Sequence, residues 1–61
     1  MEPVTGNEYV LRKERVVVYA ISPMGELVYY RPVNGNRQYA MGRLVWDQYA
    51  RRGELRHVGK S

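Results

Sequence analysis

The 61-residue chain has no cysteine. That excludes a disulfide framework and any zinc site built on thiolates. No apolar run approaches the roughly 20 residues that a membrane-spanning helix needs. Histidine occurs once, as His57, between arginine and lysine neighbours in a basic stretch, where a solvated surface position is expected. The six acids, Glu2, Glu8, Glu14, Glu26, Asp47 and Glu54, are scattered, and no two share a short motif. Each reads as a surface counter-charge, with Asp47 between Arg43 and Arg51 on a helix and able to pair with Arg51 one turn on. Metal-ligand spacing, a Walker-type loop and a G-x-S-x-G elbow are all missing. A core of this size does not easily enclose a ligand pocket of about 300–1,000 Å³. The expectation is a protein without catalytic residues, metal or cofactor, although an oligomer could build a site between subunits.

Hydrophobic residues make up 44% and charged residues 26%, which is the balance of a folded domain and not of a disordered one. The length allows one domain, residues 1–61. Such a domain buries only about 60% of its unfolded surface, so a single compact core, or one shared with a second copy, must stabilise it. Residues 1–7 and 59–61 are expected to fray. Met1 to Gly6 has neither the basic nor the apolar region of a signal peptide. With the missing cysteines, this points to a reducing cytoplasm and away from membranes.

What the chain has in excess is arginine. The formal charge is +4, and eight of the ten basic residues are arginine. Guanidinium suits bidentate phosphate or carboxylate contacts and stacking on rings. Solubility alone is the plainer explanation of the same excess.

Tyr9-Val10-Leu11 is a short β-rich run, followed by a polar tight turn at Arg12-Lys13-Glu14. Arg15 to Ile21 is dense in β-branched residues, with apolar side chains on both faces, and reads as a central strand. Ser22-Pro23-Met24-Gly25 has turn chemistry, with proline at the second position and glycine supplying positive φ. Glu26 to Arg31 is the next strand. Asn34-Gly35 is a two-residue hairpin signal, and Arg37 to Met41 is the returning strand. That register sets Val33 opposite Asn36, Tyr30 opposite Tyr39 and Val28 opposite Met41. For the earlier hairpin, an odd loop puts Val16, Val18 and Ala20 on the Tyr30 face, and an even loop puts Val17, Tyr19 and Ile21 there.

After Gly42 the period changes. Met41, Leu44, Val45 and Tyr49 fall on one helical face, with Trp46 beside it as a ring that caps the core. Arg51 and Arg52 suit the negative end of the helix dipole and Gly53 the cap beyond it. No N-cap residue marks the helix start. Leu55 and Val58 alternate with charge, as in a short edge strand. The expected fold is α+β, mostly β: a curled antiparallel meander of three to four strands, nearest in shape to a small SH3-like barrel. One short C-terminal helix lies over its open end. A flat three-stranded sheet crossed by a helix buries the same residues.

Three constellations suggest binding. The middle hairpin interleaves Tyr29, Tyr30, Arg31, Arg37, Gln38 and Tyr39. Tyr30 and Tyr39 read as core, and Tyr29 and Arg31 as the exposed pair. Trp46, if exposed, would anchor a protein contact. Arg51, Arg52, Arg56, His57 and Lys60 form a basic tail. Gly6-Asn7-Glu8-Tyr9, Val16-Val17-Val18 through Ile21, Val28-Tyr29-Tyr30-Arg31 and Trp46 to Tyr49 together resemble a family of very short enterobacterial prophage proteins of unknown function. The likeness covers roughly residues 6–58. It implies a phage or prophage setting and a small β-rich fold, and carries over no catalytic residue. That family often has a cysteine in its second half, which this chain lacks.

The preferred expectation is a nucleic-acid-binding accessory protein using Arg31, Arg37, Arg43, Arg51, Arg52, Arg56 and Tyr29. The alternative is a protein–protein module that inhibits or redirects an acidic host protein through Trp46, Tyr29 or a strand edge. A homodimer is compatible with both.

Overall fold

The computed structural model describes residues 1–60. The chain runs β1 (Asn7–Leu11), β2 (Glu14–Ile21), β3 (Leu27–Pro32), β4 (Tyr39–Gly42), α1 (Arg43–Arg51) and β5 (Leu55–Lys60). All strand pairs are antiparallel, in one sheet of order β4-β3-β2-β1-β5. The fold is the expected mostly β meander with one short helix, with five strands in place of three or four. β5 follows the helix as the expected short edge strand and pairs with β1. β2 is the central strand, as its valine run implies. No described helix is long and apolar enough to cross a membrane.

Each turn follows from local chemistry. Ser22 to Gly25 closes with Gly25 N donating to Ser22 O at 2.8 Å, and Gly25 has φ +75°. Ser22 Oγ accepts from the amides of Glu26 and Leu27 at 3.0 and 2.9 Å. The helix ends as glycine demands. Gly53 N donates to Ala50 O and Glu54 N to Tyr49 O, at 3.1 and 2.9 Å, a Schellman arrangement with Gly53 at φ +75°. At the other end Gly42 offers no side-chain cap, and the amide of Arg43 is satisfied by Glu26 O at 2.8 Å.

The second hairpin differs from the expectation in its turn and agrees in its register. Tyr30 pairs with Tyr39 and Val28 with Met41. The turn, however, is Pro32 to Gly35, with Gly35 N donating to Pro32 O at 3.2 Å, and β4 begins at Tyr39. Val33 N points to Arg15 O on β2, so the residue before it would direct its amide to β4. That residue is Pro32, which has no amide hydrogen, and the ladder stops there.

In the first hairpin neither simple loop parity holds. Val18 pairs with Tyr30 and Ile21 with Val28, but Ala20 pairs with Tyr29, so Tyr19 is the extra residue of a bulge. Val16, Val18 and Ile21 therefore share the inner face, and Tyr19 and Ala20 both lie outside.

The core consists of Tyr9, Val16, Val18, Val28, Met41, Trp46 and Leu55, with Leu11, Ile21, Tyr30, Tyr49 and Ala50 packed around it. Helix α1 lies across the side left open between edge strands β4 and β5. Its buried residue is Trp46, with Tyr49 and Ala50 on the same side, so the inward face is rotated from the expected Leu44/Val45/Tyr49 stripe. Leu44 is 77% exposed. The larger indole takes the centre because it buries more area than any neighbour on the helix. Its ring meets Tyr9 edge to face at 4.9 Å, and its Nε1–H donates to Met1 O at 3.0 Å.

The N-terminus is consequently held down and not frayed. Pro3 is buried, Val4 N donates to the Tyr9 hydroxyl at 3.0 Å, and Gly6 N donates to Val18 O at 2.8 Å. At the other end, Gly59 and Lys60 belong to β5 and pair with β1, and Ser61 lies outside the described residues.

Replacing Trp46 with alanine should cost about 3–5 kcal/mol. A domain this small has little more than that in total. We expect Trp46→Ala to show no cooperative thermal transition by circular dichroism and Trp46→Phe to fold with a lowered midpoint. An alanine variant that melts with the parent would show that the ring is not the centre of the core.

Candidate functional site

The outer face of the sheet is built by alternation. Facing away from the core are Glu8 and Val10 on β1, Arg15, Val17, Tyr19 and Ala20 on β2, Leu27, Tyr29 and Arg31 on β3, Ala40 on β4 and Arg56 on β5. Register lines these up in rows. Arg56, Val10 and Arg15 form one, Glu8, Val17 and Arg31 the next, and Ala20, Tyr29 and Ala40 the third, with Tyr19 added by the bulge. The rows are about 7 Å apart along the strands.

Glu8 is the one acid on this face among the described residues. It is 8% exposed and bound by the guanidinium of Arg15 through both Nε and Nη2. The pair is neutral, and Val17 beside it is buried at 6% exposure although it faces outward. Arg31 and Arg56 stand on either side without a carboxylate partner. The Tyr19 and Tyr29 rings lie 6.2 Å apart and tilted by 45°, both half-buried.

At one end of this face the β1–β2 turn adds two cations. Arg12 and Lys13 form a two-residue turn with φ +49° and +74°. A type I′ hairpin requires positive φ at both positions, which asparagine and glycine accept and long side chains resist. The turn is fixed against the α1–β5 connection by Arg12 N donating to Glu54 O at 2.8 Å. The result is an open groove of about 500 Å³ lined by Val10, Arg12, Lys13, Gly53, Glu54 and Arg56. Arg12 and Lys13 belong to this surface, although their segment reads in the sequence as a mere turn. The signal was their position in the tight hairpin itself, which displays whatever side chains occupy it.

No known protein family, curated protein or solved structure matches this chain. The chemistry of the face rests on its own geometry.

The residues expected to bind are divided by the fold. Tyr29, Arg31 and Arg56 lie on the outer face. Arg37 is in the exposed 33–38 loop. Arg43 is tied to Asp47 at 3.1 Å, so the acid expected beside Arg51 is paired one turn earlier. Arg51 shares a hollow with Met1, Asp47 and Ala50, and Arg52 is the exposed helix cap. The basic tail is thus not one cluster. Arg56 points out from the outer face, while His57, exposed as expected, lies on the opposite face with its ring edge-on to Tyr9 at 5.4 Å and Nε2 3.1 Å from Asn7 Nδ2. Trp46 is fully buried and offers no surface anchor, because its ring is needed inside. Among the described residues no three histidine, aspartate or glutamate side chains gather as metal ligands.

Tyr30 and Tyr39 stack on the inner side at 5.7 Å; Tyr30 packs against the core as expected, whereas Tyr39 is 41% exposed and lies outside it. Burial raises the Tyr30 phenol above the usual tyrosine value, and the nearby Tyr49, Tyr39 and Glu14 add to the shift.

Two outcomes follow. The replacement Lys13→Gly relieves the left-handed conformation, less the entropy that glycine loses on folding, for a net gain of about 0.5–1 kcal/mol. Its urea midpoint should rise with an unchanged slope, and a fall would mean that Lys13 makes a stabilising contact. The Tyr30 phenol, raised in the folded state, contributes stability that is complete below its unfolded value near 10 and is lost as pH rises through the folded value. The urea midpoint should therefore drop more steeply above pH 10 in the parent than in Tyr30→Phe. Parallel curves would exclude the effect.

Proposed function

We propose that the chain is a small non-catalytic binding module that contacts nucleic acid through the outer face of its sheet. It would act in the cytoplasm as an accessory protein of a phage or prophage. The observation that carries this reading is the run of cations along one side of the molecule. Arg12 and Lys13 stand at the turn, Arg56 beside them and Arg31 a row beyond; Glu8 among them is paired with Arg15, and Glu54 is the one acid that lines the groove. Phosphate backbones attract such a surface by releasing counterions, without reading sequence. The guanidinium groups supply forked donors and the half-buried tyrosines a flat apolar contact. Of the seven residues expected from the sequence, Tyr29, Arg31 and Arg56 belong to this surface. Arg37, Arg43, Arg51 and Arg52 contribute long-range charge only. A protein–protein role loses its Trp46 anchor, which leaves Tyr29 and the sheet edges at β4 and β5 as its remaining basis.

Four phosphate contacts give a slope of about −3 for log affinity against log salt. Fluorescence anisotropy with labelled mixed-sequence single strands and duplexes should show that dependence. The double variant Arg31→Gln/Arg56→Gln should flatten the slope by about 1.5, and Arg37→Gln/Arg51→Gln should leave it nearly unchanged. An absence of binding to either form at low salt would end the proposal.

A further inference from the structure

We infer that the ligand of this face is single-stranded, and that Tyr19 and Tyr29 are the platform on which its unpaired bases stack. This inference rests on the nucleic-acid reading above and makes it more specific. The bulge in β2 is the starting point. A regular strand continuing from Val17 opposite Arg31 and Val18 opposite Tyr30 would have sent Ala20 inward and set Tyr19 directly opposite Tyr29. The extra residue instead sets Tyr19 and Ala20 on the outer face together, both against Tyr29, while Ile21 resumes the core. Bulges of this kind re-aim side chains: here Ala20 takes the place opposite Tyr29, and the Tyr19 ring is offset beside it, 6.2 Å away and tilted by 45° on the same side of the sheet.

The neighbours of that pair are small. Tyr29, half-buried, is flanked in register by Ala20 on one strand and Ala40 on the other, so its cross-strand partners are methyl groups. Arg31 follows two residues along the same strand, about 7 Å away; the Arg12-Lys13 turn lies further in that direction, and Arg56 lies across the sheet on β5, three strands or roughly 14 Å to the side. An aromatic patch at one end and a basic track leading from it match what a single strand presents: exposed base faces on one side of a flexible phosphate chain. A duplex keeps its bases stacked inside and offers this face phosphates alone. Sheet surfaces that carry exposed aromatic rings engage unpaired bases for the same reason.

The test uses anisotropy with three labelled probes of equal length and low salt: a DNA single strand, its duplex, and a strand whose bases are replaced by abasic sites. The full chain should prefer the single strand over both others. Tyr29→Ala and Tyr19→Ala should each weaken single-strand binding by about fivefold or more, while Tyr29→Phe keeps it. Neither alanine variant should move the affinity for the abasic strand. Both tyrosines lie outside the core, and unchanged circular dichroism confirms that the variants fold. If the abasic strand and the single strand bind equally, or the alanine variants bind single strands like the parent, the platform is wrong and the basic track stands. If no probe binds, the nucleic-acid reading falls with it, and the face is left for a protein partner.

Discussion

The fold is organised around the edge-to-face contact between Trp46 and Tyr9. One ring comes from the helix and the other from β1, and these elements share no strand pairing. Their contact closes the side of the meander where β4 and β5 diverge. Each ring also has a polar end that must be satisfied inside the protein. The indole N–H finds Met1 O, while the phenol takes the amide of Val4 and reaches towards Glu2 O at 3.4 Å. The polar ends of both rings are met by the N-terminal segment, which packs there for that reason. Tyrosine and tryptophan give more buried area than aliphatic residues, but they oblige nearby backbone to supply partners.

With the inner face settled in this way, the outer face is free to carry charge. Burial of Val16, Val18, Val28, Met41 and Leu55 fixes which side of each strand turns outward, and alternation does the rest. Glu8 is the informative exception. A buried carboxylate beside Val17 is costly unless its charge is compensated. Arg15 compensates it, and the face keeps its positive character because the cation used in that pair is only one of several. The strained turn at Arg12-Lys13 fits the same pattern. Two long side chains in left-handed backbone cost stability, and they place two charges where the groove needs them.

Much of this was legible in the chain itself. The valine run marks β2 as central, the Tyr30/Tyr39 register follows from hairpin arithmetic, and Gly53 ends the helix. The separation of Tyr29 and Arg31 from Tyr30 follows from a period of two. What escaped was set by single residues with effects beyond their own position. Pro32 lacks the donor that would have continued the ladder. The bulge at Tyr19 reversed the facing of everything after it, and no local pattern announces an unpaired residue.

Composition and periodicity decided the class of fold, the central strand, the helix and the basic character, because these depend on interactions between near neighbours. The inward face of the helix, the order of the N-terminus and the division of the arginines between separate surfaces were decided by tertiary structure alone. Each of these depends on contacts between residues distant in the chain: Trp46 with Met1, Arg12 with Glu54, and Tyr19 with Tyr29. Such contacts exist only after the strands have paired and the helix has docked.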